Sequence, residues 1–153
     1  MLTNLLRRSF ITRIAAVVAW PFAASRAADA STEPVEVMVL KLTGGAAVQS
    51  GRVKLELPLL ADNGNSVSLK VTVDSPMTAA DHVKSIHVYA ARNPRPNVAN
   101  FYLGPRAGRA QISTRVRLGG SQRVLAVAAL SDGTFWSTTA DVVVTLSACY
   151  DAT

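Results

Sequence analysis

Few side chains in this chain of 153 residues are equipped for chemistry, and they lie far apart in the sequence. Cys149 is its one cysteine, so no disulfide can form within the chain. It is therefore a small buried apolar residue, a partner in a bond to another molecule, or a reactive thiol. His82 and His87 are five apart, and on a strand an odd separation points side chains to opposite faces. They read as surface or loop polar residues rather than a metal pair. No Cys-x-x-Cys and no cluster of histidine with carboxylates supplies zinc or iron ligands. No glycine loop precedes a helix to cradle phosphate, so neither metal nor cofactor is expected. Arg109, Arg115 and Arg117 share parity with Gln111 and Ser113, which gives one strand face a basic stripe. That stripe reads as a solvated face, with a docking surface for an acidic partner or an anionic ligand as the alternative. Asp132-Gly133 reads as turn chemistry rather than a catalytic acid.

Which of its three roles Cys149 plays depends on compartment. Residues 1–30 have the parts of an export signal: basic Arg7, Arg8 and Arg13, an apolar run from Ile14 to Ala24, then small residues around Ala27 and Ala30. Cleavage is expected after Ala27 or Ala30. The run is eleven residues long, short of the roughly 20 that span a bilayer as a helix, so no membrane anchor is expected after cleavage. Arg7-Arg8 followed by Ser9, Phe10 and Ile11 fits the twin-arginine type, which exports folded proteins. The expected compartment is the periplasm. Four of the sixteen basic and one of the ten acidic residues belong to this segment. Residues 31–153 therefore carry twelve against nine, a net charge of +3 in place of +6. Nucleic-acid binding loses its compositional support. The remaining 123 residues suit one domain with a real core.

The elements that position the chemistry are mostly strands. In RVKLELP, Val53, Leu55 and Leu57 alternate with Lys54 and Glu56; in SVSLKVTVD, Val67, Leu69, Val71 and Val73 alternate with Ser68, Lys70 and Thr72. Asp62-Asn63-Gly64-Asn65 between them suits a hairpin turn. KSIHVYAAR ends at Asn93-Pro94-Arg95-Pro96, a loop because proline removes a donor. QISTRVRL, QRVLAVAAL and DVVVTLSA follow, separated by Gly119-Gly120 and Ser131-Asp132-Gly133. Seven or eight short strands with turns every 8–12 residues predict an all-β, immunoglobulin-like antiparallel sandwich. The segment 33–50 crowds its apolar residues together and is read as a short helix outside the sandwich, with an edge strand as the alternative.

In the last strand Val142, Val144, Leu146 and Ala148 fall on the apolar face, and Asp141, Val143, Thr145, Ser147 and Cys149 on the other. Alternation thus directs Cys149 away from the core, where strand gives way to tail. A free thiol titrates at about 8.5, and a carboxylate such as Asp151 does not lower it. The tail itself holds no base or cation. Cys149 reads as a handle that another protein's active site must activate, against the plainer reading of an incidental cysteine.

The segments SGRVKLELPLLADNGNSVSL, DSPMTAADHVKSIHVYAARNPRP, ANFYLGPRAGRAQISTRVRL, SQRVLAVAALSDGTFW and DVVVTLSAC, in that order and spacing, resemble the SoxY family of the bacterial Sox sulfur-oxidising pathway. The resemblance covers residues of about 33–149. It implies an immunoglobulin-like domain over 31–153 with a carrier tail at 147–153, paired with a second sandwich protein, SoxZ. It also implies that Cys149 holds sulfur intermediates covalently, as an S-thiosulfonate or persulfide. The adduct would be shown in turn to a haem cytochrome, a sulfate-releasing hydrolase and a sulfur dehydrogenase. On this reading the protein is no enzyme but a carrier serving enzymes.

The tail departs from that family's pattern. Where the family has Gly-Gly-Cys-Gly-Gly, this chain has Ser147-Ala148-Cys149-Tyr150-Asp151. Glycine gives a short arm its freedom; here the arm is stiffer, Tyr150 widens it, and Asp151 sets a negative charge beside an anionic cargo. The rival reading is a periplasmic binding or scaffold module that keeps the sandwich and the dimer surface, serves another oxidation system and does not use Cys149. A self-sufficient thiol enzyme is disfavoured because the tail offers no activating group.

Overall fold

The computed structural model describes residues 33–148; the expected export signal and Cys149 to Thr153 lie outside the described residues. Helix α1 spans Val35–Thr43, with Glu36 in its first turn, Lys41 in its last, and Gly44 in the left-handed conformation (φ 61°) ending it. The helical reading of 33–50 holds for its first half, and the second half becomes strand β1, Val48–Ser50.

Eight more strands follow: β2 Val53–Glu56, β3 Leu60–Asn63, β4 Val67–Val73, β5 Val83–Ala90, β6 Asn97–Tyr102, β7 Gln111–Val116, β8 Gln122–Leu130 and β9 Phe135–Leu146. They form the expected sandwich. One sheet has the order β1-β9-β8-β5-β6, with β3 also paired to β9; the other is β2-β4-β7. The ladders β2–β4, β4–β7, β5–β6, β5–β8 and β8–β9 are antiparallel. The long strand β9 also takes two parallel neighbours, β1 along its first half and β3 along its second.

Alternation explains the core. Val67, Leu69, Val71 and Val73 of β4 face Ile86, Val88, Val124, Ala126 and Val142 of the larger sheet. Each fully buried side chain of this size stabilises by about 1.5–3 kcal/mol. Strand β5 does not alternate because both its faces are covered. Its outer face, with Tyr89, packs beneath Val35, Met38, Val39 and Leu42 of α1, together with Val127 and Leu125. Among the described residues no helix is long and apolar enough to cross a membrane.

Two local expectations fail. Asp62–Asn65 does turn the chain at Gly64-Asn65, but it does not close a hairpin. β2 and β4 do pair, Val53 opposite Val73, yet the segment between them leaves their sheet and inserts β3 beside β9. The turn joins β3 to β4 across the two sheets. Leu146, assigned to the apolar face, is 67% exposed, because β9 ends there and alternation with it.

Candidate functional site

Cys149 itself is not described, so the site is built from the structure that ends immediately before it. Strand β9 carries the chain there, and its last turns of backbone are held from three sides. Gly64 N donates to Leu146 O at 2.7 Å, Leu118 N donates to Gly64 O at 2.8 Å, and Ala148 N donates to Leu118 O at 3.1 Å. The exit of β9, the β3–β4 turn and the β7–β8 turn thus close a three-membered clamp. Gly64 is required there. A Cβ at this position would overlap the Leu118 carbonyl oxygen and stand 2.8 Å from Ala148 N. Ala148 is buried in the clamp, whereas Ser147 is exposed.

Side chains take over where the ladder between β8 and β9 stops. The Ser121 hydroxyl accepts from Val144 N at 2.8 Å and donates to Val144 O at 3.3 Å. Thr145 Oγ1 donates to Asp62 O at 2.7 Å, tying β9 to β3. Beneath the β7–β8 turn, Asn93 and Gln122 form a buried polar network. Asn93 Oδ1 accepts from Gly119 N and from Gln122 Nε2, both at 2.9 Å, while Asn93 Nδ2 donates to Arg117 O at 2.8 Å. Gln122 Oε1 accepts from Arg92 N at 2.9 Å. Every member is satisfied, and such a network rigidifies what it joins. The chain therefore arrives at residue 149 from a fixed platform.

An apolar patch flanks this platform on the β3–β9 edge: Leu59, Leu60, Val143 and Leu146 are all exposed. Leu60 is paired with Val143 across the ladder. Neither the clamp residues nor the patch is signalled by a sequence motif. Asn93 is visible only as the residue before a proline, and Gly64 only as a turn former.

The other candidates are dispersed. His82 lies in the loop before β5, its Nδ1 3.1 Å from Thr78 O. His87 is not a surface residue as expected; it is 7% exposed, on the face of β5 turned away from the sandwich core. Its Nδ1 lies 2.8 Å from Asn100 Oδ1 and its Nε2 3.0 Å from Ser85 Oγ. Tyr89 stacks beside it and Tyr102 meets it edge-on. Burial pushes its pKa below the ordinary histidine value, against the Asn100 hydrogen bond. Asp132 accepts from Thr134 Oγ1 at 2.7 Å and Thr134 N at 2.8 Å, which holds its carboxyl below the usual range in the β8–β9 turn. Among the described residues no group of three His, Cys, Asp or Glu could hold a metal ion.

Of the expected basic stripe, Arg115 alone lies within β7, on the outer face of the three-stranded sheet, and Arg117 follows the strand's end. Arg115 opposes Ser68, Ser113 opposes Lys70, and Gln111 opposes Thr72. Glu56 bridges Lys54 at 2.7 Å and Lys70 at 3.4 Å, and those two lysines hold its carboxyl below the usual range. Arg109 sits beyond the strand's start, lining a groove of about 450 Å³ with Arg52, Lys54 and Asp74.

Comparison with solved structures agrees with the sandwich. The sulfur carrier protein SoxY from Chlorobium limicola f thiosulfatophilum superposes with a TM-score of 0.61 at 22% identity, over 73% of this chain and 96% of that one. A superoxide reductase (neelaredoxin) from Ignicoccus hospitalis gives 0.57 at 16% identity, over 63% and 94%. A putative superoxide reductase from Thermotoga maritima gives 0.55 at 19%, over 63% and 93%. At these identities the likeness is one of fold. No curated protein matches the sequence. The family model for sulfur oxidation protein SoxY, however, matches residues 39–149, most of the chain and up to the cysteine itself. The chain belongs to the SoxY family of sulfur-oxidation proteins.

Proposed function

We propose that this protein is a periplasmic carrier in a thiosulfate-oxidising Sox system, holding sulfur intermediates on Cys149 and presenting them to partner enzymes. The observation that carries the reading is the clamp. A SoxY-family chain is fixed to Ala148, and the family match reaches the thiol that comes next. Loading joins the Cys149 sulfur to the sulfane sulfur of thiosulfate; the thiol proton and two electrons leave, the electrons to a haem enzyme. A hydrolase then adds water across the bond between sulfane sulfur and sulfonate, releasing hydrogen sulfate and leaving a persulfide for a sulfur dehydrogenase. The carrier contributes position and access and catalyses none of these steps.

Under this reading residues 1–30 are a twin-arginine signal, residues 31–153 the carrier domain, and the working partner a SoxZ-like protein in a heterodimer. The exposed leucines and valines of the β3–β9 edge support close apposition to protein partners. Because Ser147 and Ala148 belong to the domain, the reach of the arm begins at Cys149, and enzymes must approach the sandwich surface to collect the cargo.

The second reading, a scaffold that no longer cycles sulfur, is favoured by the loss of the glycines around Cys149. Intact-mass spectrometry without reductant, on protein from the periplasm of its host grown on thiosulfate, separates the two. Reducible additions of sulfur, sulfite or thiosulfate mapping to Cys149 establish the carrier. A bare thiol, where a glycine-armed carrier is loaded, establishes the scaffold.

A further inference from the structure

From His82 to Ser131 the chain runs for fifty residues with eight lysines and arginines and no aspartate or glutamate. Only Arg123 among these eight pairs with a carboxylate, Asp141, among the described residues. The fold does not scatter the rest evenly. Arg92 and Arg95 lie in the loop between β5 and β6, and Arg115 and Arg117 at the far end of β7. The Asn93 network joins these two segments, because Asn93 Nδ2 holds Arg117 O and Arg92 N holds Gln122 Oε1. Arg92 Nη1 donates to Ser121 O at 2.7 Å, so this guanidinium is seated on the β7–β8 turn. That turn receives Ala148 N at Leu118 O, next to Arg117, and its Ser121 hydroxyl grips Val144 on β9. Arg115 reaches Ser66 Oγ at 3.2 Å, over the β3–β4 turn that completes the clamp. All four side chains belong to exposed residues. The carboxylate on the clamping segments is that of Asp62.

We infer that Arg92, Arg95, Arg115 and Arg117 form a cationic collar around the point where the chain leaves for Cys149, and that its ligands are sulfur oxyanions. The choice of ligand rests on the carrier reading above; the collar itself does not. Thiosulfate is a dianion and its protein adduct keeps a negative charge, so each guanidinium within about a Debye length, 8 Å at physiological salt, attracts both. Attraction raises the local concentration of an anionic reagent at the thiol and offsets the repulsion from Asp151. The tail, which holds no cation of its own, borrows its electrostatics from arginines 32 to 57 residues upstream of Cys149.

The test compares two disulfide reagents on the Cys149 thiol of the full mature chain. 5,5′-Dithiobis(2-nitrobenzoate) is a dianion and 2,2′-dithiodipyridine is neutral. In each case the Cys149 thiolate forms a mixed disulfide and expels one aromatic thiolate or thione. The quantity read is the ratio of the two rate constants, normalised to the free peptide SACYDAT. At low ionic strength the ratio should exceed that of the peptide by about tenfold and fall towards it as salt is raised. In Arg92→Gln/Arg117→Gln it should drop about 3–10-fold, while Arg106→Gln leaves it unchanged. Arg106 lies before β7, roughly 17 Å of strand away from the collar. A circular-dichroism melt confirms that the variants are folded, and Arg95→Gln/Arg115→Gln offers the same reading if the first pair disturbs the turn. A ratio equal to that of the peptide, or one that ignores all four arginines, overturns the collar. Because neither reagent is a sulfur oxyanion, failure here is distinguishable from failure of the carrier reading, which rests on the mass of host-loaded protein.

Discussion

Gly64 and Leu118 come together so closely that no side-chain carbon fits between them, and Leu118 N donates to Gly64 O at 2.8 Å across the contact. One residue belongs to the turn between β3 and β4, the other to the turn between β7 and β8. The chain passes from the last strand to its tail between them. Whatever the tail carries, its origin is set by this pair.

Gly64→Ala should therefore be costly although position 64 is in a turn. The added carbon overlaps backbone atoms, which cannot swing aside as a long side chain would, and strain of this kind costs about 1–3 kcal/mol. The expected result is a fall of several degrees in Tm, with faster amide exchange at Leu118 and Ala148. Unchanged exchange at Ala148 would show that the clamp tolerates a side chain.

Asn93→Ala removes three hydrogen bonds at once and leaves Gly119 N, Gln122 Nε2 and Arg117 O without that partner. Buried groups left unpaired cost about 1–3 kcal/mol each where water cannot reach them. Urea unfolding should register a loss of about 2–4 kcal/mol. The double variant with Gln122→Ala should lose less than the sum of the singles, since the two side chains share a bond. Strict additivity would mean that the network is not a unit.

Cys149→Ser should abolish every reducible mass addition and leave Tm within about a degree, because strand alternation directs residue 149 away from the core and the last buried side chain among the described residues is Ala148. A large fall in Tm would place the thiol inside the fold. Replacing residues 147, 148, 150 and 151 by glycine should speed service by Sox enzymes taken from a glycine-armed system. Unaltered rates would mark the change of tail as neutral.

His87 predicts a dependence on pH. Its folded pKa is depressed by burial below the ordinary 6.5, so the unfolded chain binds the proton more readily. Stability from this residue is complete above pH 6.5 and is lost as pH falls through the folded value. Glu56 and Asp132 are also depressed, but from ordinary carboxylate values of 4.5 and 3.8, so their losses come at lower pH. Thermal melts between pH 8 and 5 should show a declining Tm that flattens in His87→Gln. A slope that survives the substitution would assign it elsewhere.

Much of the sandwich could be read in the sequence because β4, β7 and the interior of β9 bury one face each, and one buried face writes a period of two. β5 escaped that code. With α1 on its outer face and the second sheet on its inner face, nearly every residue is apolar or buried, so parity alone cannot tell His87 from a surface residue. Strand β3 was missed because its four residues show one buried side chain, Ala61, and its partner β9 lies some eighty residues away. The thiol was legible as the single cysteine of a SoxY-like tail. The platform under it was not, since Gly64, Asn93, Leu118 and Ser121 acquire their roles only when four separate segments meet.

Strand β9 has a mechanical consequence. Hydrogen bonds to β8, β1 and β3 run across its axis on both sides. Under the proposed carrier reading, an enzyme that withdraws while holding the cargo would pull on Ala148 along the strand. Such a pull loads the rungs of both flanking ladders together, in shear, whereas a pull across an edge strand would peel them open singly. Laddered on both sides, β9 would resist such a pull on its C-terminal end without unravelling.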